Sequence, residues 1–423
     1  MQNTAVRFYG ANDLRIEAYE FPEIKDDEIL TEIVTNSVCM SDFKEAEQGT
    51  AHKRVPKDLA TNPTIIGHEM CGRILKVGAK WKDQFKPGEL FSLQPAITPP
   101  GVLKNPGYAF PYCGGYSFYS IIPPHIMEQD GLLKFKGRGF FMGSLSEPMS
   151  CIVGTFHAMY HTTPRVYVHD MGIVEGGNMA ILAGVGPMGL GAIDYAIHCD
   201  RKPGLLVVTD IDETRLKRAE SLLSVEEAAK NGVKLVYVNT KGLEDPVAKL
   251  RSYTKDDKGF DDVIIMAPVK SVVEQGDAIL GNDGCLNFFS GPIDKNFSAL
   301  FNFYNVHYSS HHIVGTSGGS TEDMVESLEM MAEGKLTTAV MITHIGGLLD
   351  APNTILTLPS IPGGKKLMYT HYDIPLTAIE DFAEKGKTDP MFAKLDEICK
   401  AHNGLWCVEA EDYLLEHAKR IDK

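Results

Sequence analysis

Short runs in the first third of the chain mix β-branched and polar residues and end in turn signals, which is typical of half-buried strands. The clearest are EILTEIV at 28–34 and TIIGHEMCGRILKV at 64–77. A loop follows, and GGYSFYSIIP occupies 114–123. A helix is predicted from Glu147 to His161, because Pro148 suits a first helical position and apolar residues follow it. This part of the chain is therefore predicted to be rich in β structure, with one helix at its end.

The middle of the chain alternates apolar strand patterns with helical ones. The predicted strands are 178–184, 204–210, 260–268 and 284–292. An apolar-faced helix, LGAIDYAIHC, follows the first strand, and an amphipathic one, ETRLKRAESLL, follows the second. Alternation of this kind predicts a parallel sheet with helices on both faces.

The last part of the chain is predicted to be mainly helical. STEDMVESLEMMAEGK forms a helix that Ser320 and Asp323 cap at its start. GGKKLMYT at 363–370 is a further strand, and two or three helices are expected over 371–423. Three apolar residues of the capped helix recur at helical spacing and are expected in the core: Met324, Leu328 and Met331.

Size and charge narrow the possible functions. The 423 residues are too many for one hydrophobic core, so two domains are expected. The formal net charge is −15, from 41 Lys and Arg against 56 Asp and Glu. Such a surface repels nucleic acid and anionic lipid, and no apolar run reaches the ~18 residues of a membrane span. We expect a cytoplasmic protein whose eight cysteines form no disulfide framework.

A glycine-rich turn lies between the first predicted strand and helix of the alternating region. Residues 184–189, GVGPMG, match G-x-G-x-x-G, whose glycines permit a tight turn, close approach of a pyrophosphate and close helix packing. A carboxylate at the end of the second strand can bind the adenosine ribose, which favours NAD(H), although Lys217 and Arg218 leave NADP(H) open. The predicted dinucleotide contacts are Gly184, Gly186, Pro187, Met188, Gly189 and Asp210. The alternative is a strand–turn–helix without a ligand.

Three further segments contain cysteine, histidine or carboxylate residues, the side chains that bind metals. They are VCMSD at 38–42, GHE at 67–69 and SEP at 146–148. A single cysteine usually packs in the core, and a single histidine is usually a polar residue whose hydrogen bonds are made within the protein. Together the pieces match soft and borderline ligands for a catalytic Zn²⁺ with three protein groups and one open position.

The order of these motifs resembles that of the zinc-dependent medium-chain dehydrogenase/reductase superfamily. Its G-x-C-G-S-D, G-H-E and E-P elements occur here as SVCMSD, IGHEMCG and SEPMSC, and the resemblance covers residues 1 to about 370. It implies an α/β protein with a GroES-like β-barrel catalytic domain, 1–160 with 305–423, including a helical C-terminal extension. A Rossmann domain with a doubly wound parallel sheet, 161–304, would be inserted into it, and the cleft between them would hold the reactants.

The resemblance also implies roles for individual residues. Cys39 and His68 would be zinc ligands, and Glu69 or Glu147 would complete the shell. Asp42 would hold the ring of His68. The four-cysteine structural-zinc segment is missing, since only one cysteine occurs between 91 and 120. One catalytic zinc and no structural zinc are therefore expected, which is typical of the polyol-dehydrogenase branch.

Longer stretches, among them EIKDDEILTEIVTNSVCMSDFKEAEQGTAHKRVP, resemble the ketose-phosphate reductases of that branch. This implies reduction of L-sorbose 1-phosphate to D-glucitol 6-phosphate with NADH or NADPH, with Ser41 passing a proton to the reacting oxygen. The substrate phosphate needs cations, for which Lys44, Lys53 and Arg54 are candidates unless their segments are only solvated loops. Another polyol or polyol phosphate, such as sorbitol or galactitol 1-phosphate, is the alternative substrate, and a non-catalytic nucleotide-binding protein is the alternative class. We expect a homo-oligomer, a dimer or tetramer.

Overall fold

The computed structural model describes residues 1–97, 104–163 and 165–422. Its strands are β1 Gln2–Gly10, β2 Asp13–Glu20, β3 Ile29–Ser37, β4 Thr64–Ile65, β5 Glu69–Val77, β6 Leu90–Leu93, β7 Tyr119–Ile122, β8 Leu132–Lys134, β9 Tyr160–Thr163, β10 Val166–Met171, β11 Asn178–Leu182, β12 Leu205–Asp210, β13 Lys234–Asn239, β14 Phe260–Ile265, β15 Leu280–Phe288, β16 His312–Gly315, β17 Ile342–Gly347, β18 Lys365–Tyr369 and β19 Thr377–Ala378. Its α-helices are α1 Met40–Gln48, α2 Pro124–Met127, α3 Phe140–His157, α4 Pro187–His198, α5 Glu213–Leu222, α6 Val225–Lys230, α7 Pro246–Arg251, α8 Lys270–Ile279, α9 Phe303–Tyr308, α10 Thr321–Ala332, α11 Ala351–Thr357, α12 Phe382–Lys385, α13 Pro390–Ala401 and α14 Val408–His417.

The chain forms two compact units. The first comprises residues 1–148, 324–334 and 342–423, and the second comprises 149–323 and 335–341. These bounds differ from the predicted domain boundaries after residues 160 and 304, because α3 and α10 each include residues of both units. The predicted boundaries stay a prediction.

The first unit is built mainly on antiparallel strands, with β17 and β18 paired in parallel. One sheet has the order β19-β17-β18-β3-β5-β6-β8 with β7 also paired to β3, and a second has the order β2-β1-β4. Apolar side chains of the central strands, such as Ile33, Ile74 and Phe91, are buried in its core. The stretch predicted as one strand over 64–77 is divided into β4 and β5. Gly67 lies between them with φ of 98°, a conformation that favours glycine.

The second unit contains a parallel sheet of six strands in the order β13-β12-β11-β14-β15-β16. The predicted strands at 178–184, 204–210, 260–268 and 284–292 correspond to β11, β12, β14 and β15. Their apolar runs, for example Leu205–Val208, are buried on both faces, as a sheet covered by helices requires. The predicted α/β class with a Rossmann-type parallel sheet is confirmed.

One predicted helix has different ends. Helix α3 begins at Phe140, seven residues before the predicted start at Glu147, and ends at His157. Pro148 therefore lies inside the helix and not in its first turn. The physical reason is that the carboxylate of Glu411 accepts the backbone N–H groups of the first two residues of α3, so the cap comes from a remote part of the chain.

The capped helix near residue 320 is present as α10. The N–H of Asp323 donates to Oγ of Ser320 over 3.1 Å, and the N–H of Ser320 donates to Oδ2 of Asp323 over 2.7 Å. Its three methionine and leucine residues predicted for the core are buried: Met324, Leu328 and Met331. Three helices, α12 to α14, follow the last strand. Within the described residues, no helix combines the length and apolar character needed to cross a membrane.

Candidate functional site

Three predicted ligand residues lie together in the first unit. Cys39 directly precedes α1, His68 follows the turn at Gly67, and Glu69 is the first residue of β5. One ligand atom from each lies within 4.8 Å of the others. His68 and Glu69 are buried and Cys39 is half-buried. A thiol, an imidazole and a carboxylate are the donors that Zn²⁺ takes in catalytic sites, so the set fits this ion.

Asp42 holds the imidazole of His68 and the start of α1. Its Oδ1 is 2.9 Å from Nδ1 of His68. Its Oδ2 accepts the N–H of Cys39 over 3.1 Å and the hydroxyl of Tyr116 over 2.9 Å. Because Nδ1 faces this carboxylate, Nε2 is the nitrogen left for a metal. The contact of Asp42 with His68 was predicted from the sequence. The contact of Tyr116 with Asp42 was not, because no motif marks this tyrosine.

Glu69 has a cationic partner that the sequence analysis did not identify. The ammonium of Lys365, the first residue of β18, contacts both carboxylate oxygens at 2.5 and 2.7 Å. Both side chains are buried. Burial alone would lower the pKa of Lys365, but the charges of Glu69 and Cys39 outweigh it and raise the pKa. Glu69 therefore forms a buried ion pair with Lys365 at the candidate metal site.

Glu147 lies on α3 and is half-buried. Among the described residues, the group of ligand atoms within 4.8 Å consists of Cys39, His68 and Glu69 without it. Burial and then the nearby charge of Glu69 raise the pKa of Glu147. Glu147 is thus in the electrostatic surroundings of the site, and its role as a ligand stays a prediction.

Ser41, in the first turn of α1, is the predicted proton-transfer residue. Its Oγ lies 3.4 Å from Sγ of Cys39. A hydroxyl at this distance from a ligand atom can hydrogen-bond to a group bound at the open position of a metal. The proton-transfer role stays a prediction.

The predicted nucleotide motif forms the turn between β11 and α4. A Cβ atom at Gly189 would lie 2.0 Å from the carbonyl oxygen of Gly184, so only glycine allows this close packing. A Cβ at Gly186 would meet no atom within 4 Å, which leaves open space at the N-terminus of α4, where Pro187 and Met188 begin the helix. The positive φ of the turn belongs to Ala183, at 53°. The turn thus presents helical N–H groups to open space, as phosphate binding requires.

Asp210 ends β12, as predicted. Its Oδ1 accepts the N–H groups of Ile211 over 2.8 Å and of Asp212 over 3.0 Å. Within the part of the chain that the structure describes, its Oδ2 has no protein donor, so this oxygen is available to a ribose hydroxyl. The side chain is half-buried.

The basic segment 51–57 approaches the metal-ligand residues through one aromatic ring. Tyr108 is buried, and its ring centroid is 5.2 Å from that of His68. The guanidinium of Arg54 lies over the same ring at 5.3 Å, and the His52 ring stacks on it at 5.7 Å. Lys53 is exposed, and Lys44 is half-buried on α1. Of the three predicted phosphate-binding cations, Arg54 is thus connected by ring contacts to the candidate metal site.

Comparison with known proteins identifies the family. Residues 25–128 match the alcohol dehydrogenase GroES-like domain, and residues 187–333 match the zinc-binding dehydrogenase family. Mannitol-1-phosphate 5-dehydrogenase of Aliivibrio fischeri is 54% identical over 416 residues, 98% of either chain. L-sorbose 1-phosphate reductase of Klebsiella pneumoniae is 45% identical over 420 residues, 99% of this chain and 98% of that one.

The solved structure of 2R,3R-butanediol dehydrogenase from Bacillus subtilis has the same fold. It superimposes with a TM-score of 0.69 at 20% identity and covers 87% of this chain and 99% of that one. The predicted GroES-like and Rossmann parts are therefore confirmed. Full-length relatives well above 30% identity and both family matches lead to one conclusion: the chain belongs to the zinc-dependent medium-chain dehydrogenase/reductase family, whose members are oxidoreductases.

Proposed function

We propose that the protein interconverts a ketohexose phosphate and a hexitol phosphate, with L-sorbose 1-phosphate and D-glucitol 6-phosphate as the substrate pair and NAD(H) as the redox partner. The observation that carries the chemistry is the grouping of Cys39, His68 and Glu69, whose ligand atoms lie within 4.8 Å of one another. The substrate class is supported by the two full-length relatives, both named for hexose-derived phosphates.

The residues of this chain prepare the site for carbonyl reduction. Asp42 fixes the His68 ring so that Nε2 can bind metal, and Ser41 holds a hydroxyl proton beside Cys39 for the reacting oxygen. When bound, zinc polarises the carbonyl oxygen and reduced nicotinamide supplies hydride. Lys365 neutralises Glu69, which limits the negative charge close to an anionic substrate.

The names of the two relatives differ in where the phosphate lies. In L-sorbose 1-phosphate the phosphate is on the carbon next to the reacting carbonyl, whereas a mannitol-1-phosphate 5-dehydrogenase acts four carbons away from it. The mannitol phosphate is the second candidate, favoured by the higher identity of 54%. Arg54 lies one aromatic ring away from the metal ligand His68, which suits a phosphate close to the reacting carbon.

The experiment that tests the function compares substrates with one enzyme preparation. NADH oxidation is measured with L-sorbose 1-phosphate, fructose 6-phosphate and free L-sorbose, and NAD⁺ reduction with D-glucitol 6-phosphate and D-mannitol 1-phosphate. We expect the highest kcat/KM with the sorbose and glucitol pair. A higher kcat/KM with D-mannitol 1-phosphate and fructose 6-phosphate would make these two the substrate pair. If none of the sugar phosphates is turned over, the proposed function is rejected.

Arg54→Ala is expected to lower kcat/KM for the phosphorylated ketose about 10- to 150-fold, because a hydrogen bond to a charged group contributes roughly 1.5–3 kcal/mol. Turnover of free L-sorbose should stay nearly unchanged, since that substrate never makes the contact. Lys53→Ala, which removes an exposed cation of the same segment, is expected to have a smaller effect. Equal losses with both substrates would show that Arg54 acts on the fold and not on phosphate.

Asp210→Asn is expected to weaken NADH binding about tenfold and to improve kcat/KM for NADPH relative to NADH. Asparagine keeps an oxygen for the N–H groups of Ile211 and Asp212 but lacks the charge that repels a 2′-phosphate. Kd values for both nucleotides from fluorescence titration check this. A wild-type protein that already prefers NADPH would contradict it.

A further inference from the structure

Glu411 of α14 joins two elements that also contribute to the candidate metal site. Its Oε2 accepts the N–H of Phe140 over 2.5 Å, and its Oε1 accepts the N–H of Phe141 over 2.9 Å. The same Oε1 accepts the hydroxyl of Tyr369, at the end of β18, over 2.8 Å. One carboxylate therefore caps α3 and binds β18.

Helix α3 also contains Glu147, the predicted alternative ligand, and β18 also contains Lys365, which pairs with Glu69. Glu147 lies two helical turns after Phe140, on the same side of α3 and about 10 Å along its axis. Lys365 lies four residues before Tyr369, on the same face of β18 and about 13 Å along the strand. Glu411 thus links the first residue of α3 to the last residue of β18 by hydrogen bonds.

The surroundings of Glu411 show that its position is tightly defined. The carboxyl is fully buried, and within the described residues no basic side chain pairs with it. The indole N–H of Trp406 donates to the Tyr369 hydroxyl over 2.8 Å, which orients that hydroxyl towards Glu411. Burial raises the pKa of Glu411 to about 7, against the opposing effect of its hydrogen bonds from Tyr369 and the two amides. An acidic group in such surroundings is costly unless its hydrogen bonds are made.

The first turns of α3 are also held to β3. The Thr35 hydroxyl donates to the carbonyl oxygen of Phe140 over 3.0 Å, and its oxygen lies 2.5 Å from Oγ of Ser144. The N-terminal part of α3 is therefore hydrogen-bonded to a strand that ends two residues before Cys39. The elements that Glu411 contacts, α3 and β18, are thus also joined to β3, which leads to Cys39.

We propose that Glu411 is a positioning residue of the metal site: it fixes α3 against β18 so that the Glu147 carboxylate and the Lys365 ammonium are held at the Cys39–His68–Glu69 group. The C-terminal helix α14 is then part of the active-site architecture. The activity measurement of the test rests on the proposed function, whereas its metal measurements do not.

The test compares Glu411→Ala and Glu411→Gln with Glu416→Gln, an exposed carboxylate of the same helix. For each protein we measure zinc affinity by chelator competition, the visible spectrum of the Co²⁺-substituted protein, kcat and KM. Glu411→Ala is expected to lower zinc affinity about tenfold, the lower end of the range for groups hydrogen-bonded directly to metal ligands, because Glu411 acts through α3 and β18. Its Co²⁺ bands should shift, and kcat should fall more than KM rises. The zinc affinity and kcat of Glu411→Gln should lie between those of the wild type and Glu411→Ala, because its amide oxygen still accepts a hydrogen bond. Glu416→Gln should match the wild type.

The proposal is overturned if Glu411→Ala folds with lower thermal stability but keeps the wild-type Co²⁺ spectrum, zinc affinity and kcat, because Glu411 would then serve the fold alone. If Glu411→Ala does not fold, Glu411→Gln decides by the same measurements. A shifted Co²⁺ spectrum in a protein that turns over no sugar phosphate would support the positioning role and reject only the proposed substrate.

Discussion

Cys39→Ser is expected to lose its zinc and to lower kcat/KM at least about 1,000-fold. A serine hydroxyl is neither soft nor ionised near neutral pH, so the group of three ligands loses the thiolate that Zn²⁺ prefers. Without the ion the substrate carbonyl loses several kcal/mol of transition-state stabilisation, and about 4 kcal/mol corresponds to a 1,000-fold change. Metal analysis and NADH oxidation on the same samples check both effects.

Cys199→Ser is the matched control, because its thiol donates to the carbonyl oxygen of Arg201 over 3.2 Å and a hydroxyl can do the same. It should keep one zinc per chain and its activity. Full activity in Cys39→Ser would show that Cys39 is not a ligand of the catalytic zinc. Two tightly held zinc ions per wild-type chain would contradict the expectation of a single, catalytic zinc.

Lys365→Met is expected to lower the free energy of unfolding of the metal-free protein by about 3–5 kcal/mol. The change leaves the carboxylate of Glu69 buried without its partner, and an uncompensated buried charge has this cost. Adding Glu69→Gln should recover much of the loss, because a neutral amide needs no counter-charge. Chemical denaturation of the two variants in the presence of a chelator measures both values.

Lys76→Met is the control for this prediction. Lys76 pairs with Glu23 at 3.0 Å, with side chains that are 57% and 85% exposed, so its loss should leave the free energy of unfolding nearly unchanged. If Lys365→Met and Lys76→Met lose the same amount, or if Glu69→Gln recovers nothing, the buried pair does not stabilise the protein as described.

Local patterns were sufficient for the parts of the molecule whose determinants are local. The apolar runs of β11, β12, β14 and β15 and the glycines of the turn before α4 identified the parallel sheet and its nucleotide motif. Cys39, His68 and Glu69 were found because each occurs in a short motif, and the structure brings them together.

Features that depend on distant parts of the chain could not be predicted. The start of α3 was placed at Glu147, since Pro148 is a typical first-turn residue, but the true cap is Glu411, 271 residues after Phe140. Lys365 is 296 residues from Glu69, and no periodicity relates them. The contacts of Tyr108 and Tyr116 could not be predicted either, because the sequence around an aromatic residue in a loop does not indicate which side chain it contacts.

The pairing of β18 with β3 has a consequence for how the protein is made. The Thr370 hydroxyl donates to the carbonyl oxygen of Ile33, 337 residues earlier, and Lys365 belongs to the same strand. At about 5–20 residues per second, a ribosome needs roughly 20–70 s to synthesise that interval. During this time the growing chain contains Cys39, His68 and Glu69 but neither the lysine that pairs with Glu69 nor the strand that covers the end of β3. Chains that stop before β18 should therefore expose the edge of β3, and an unpaired strand edge favours aggregation.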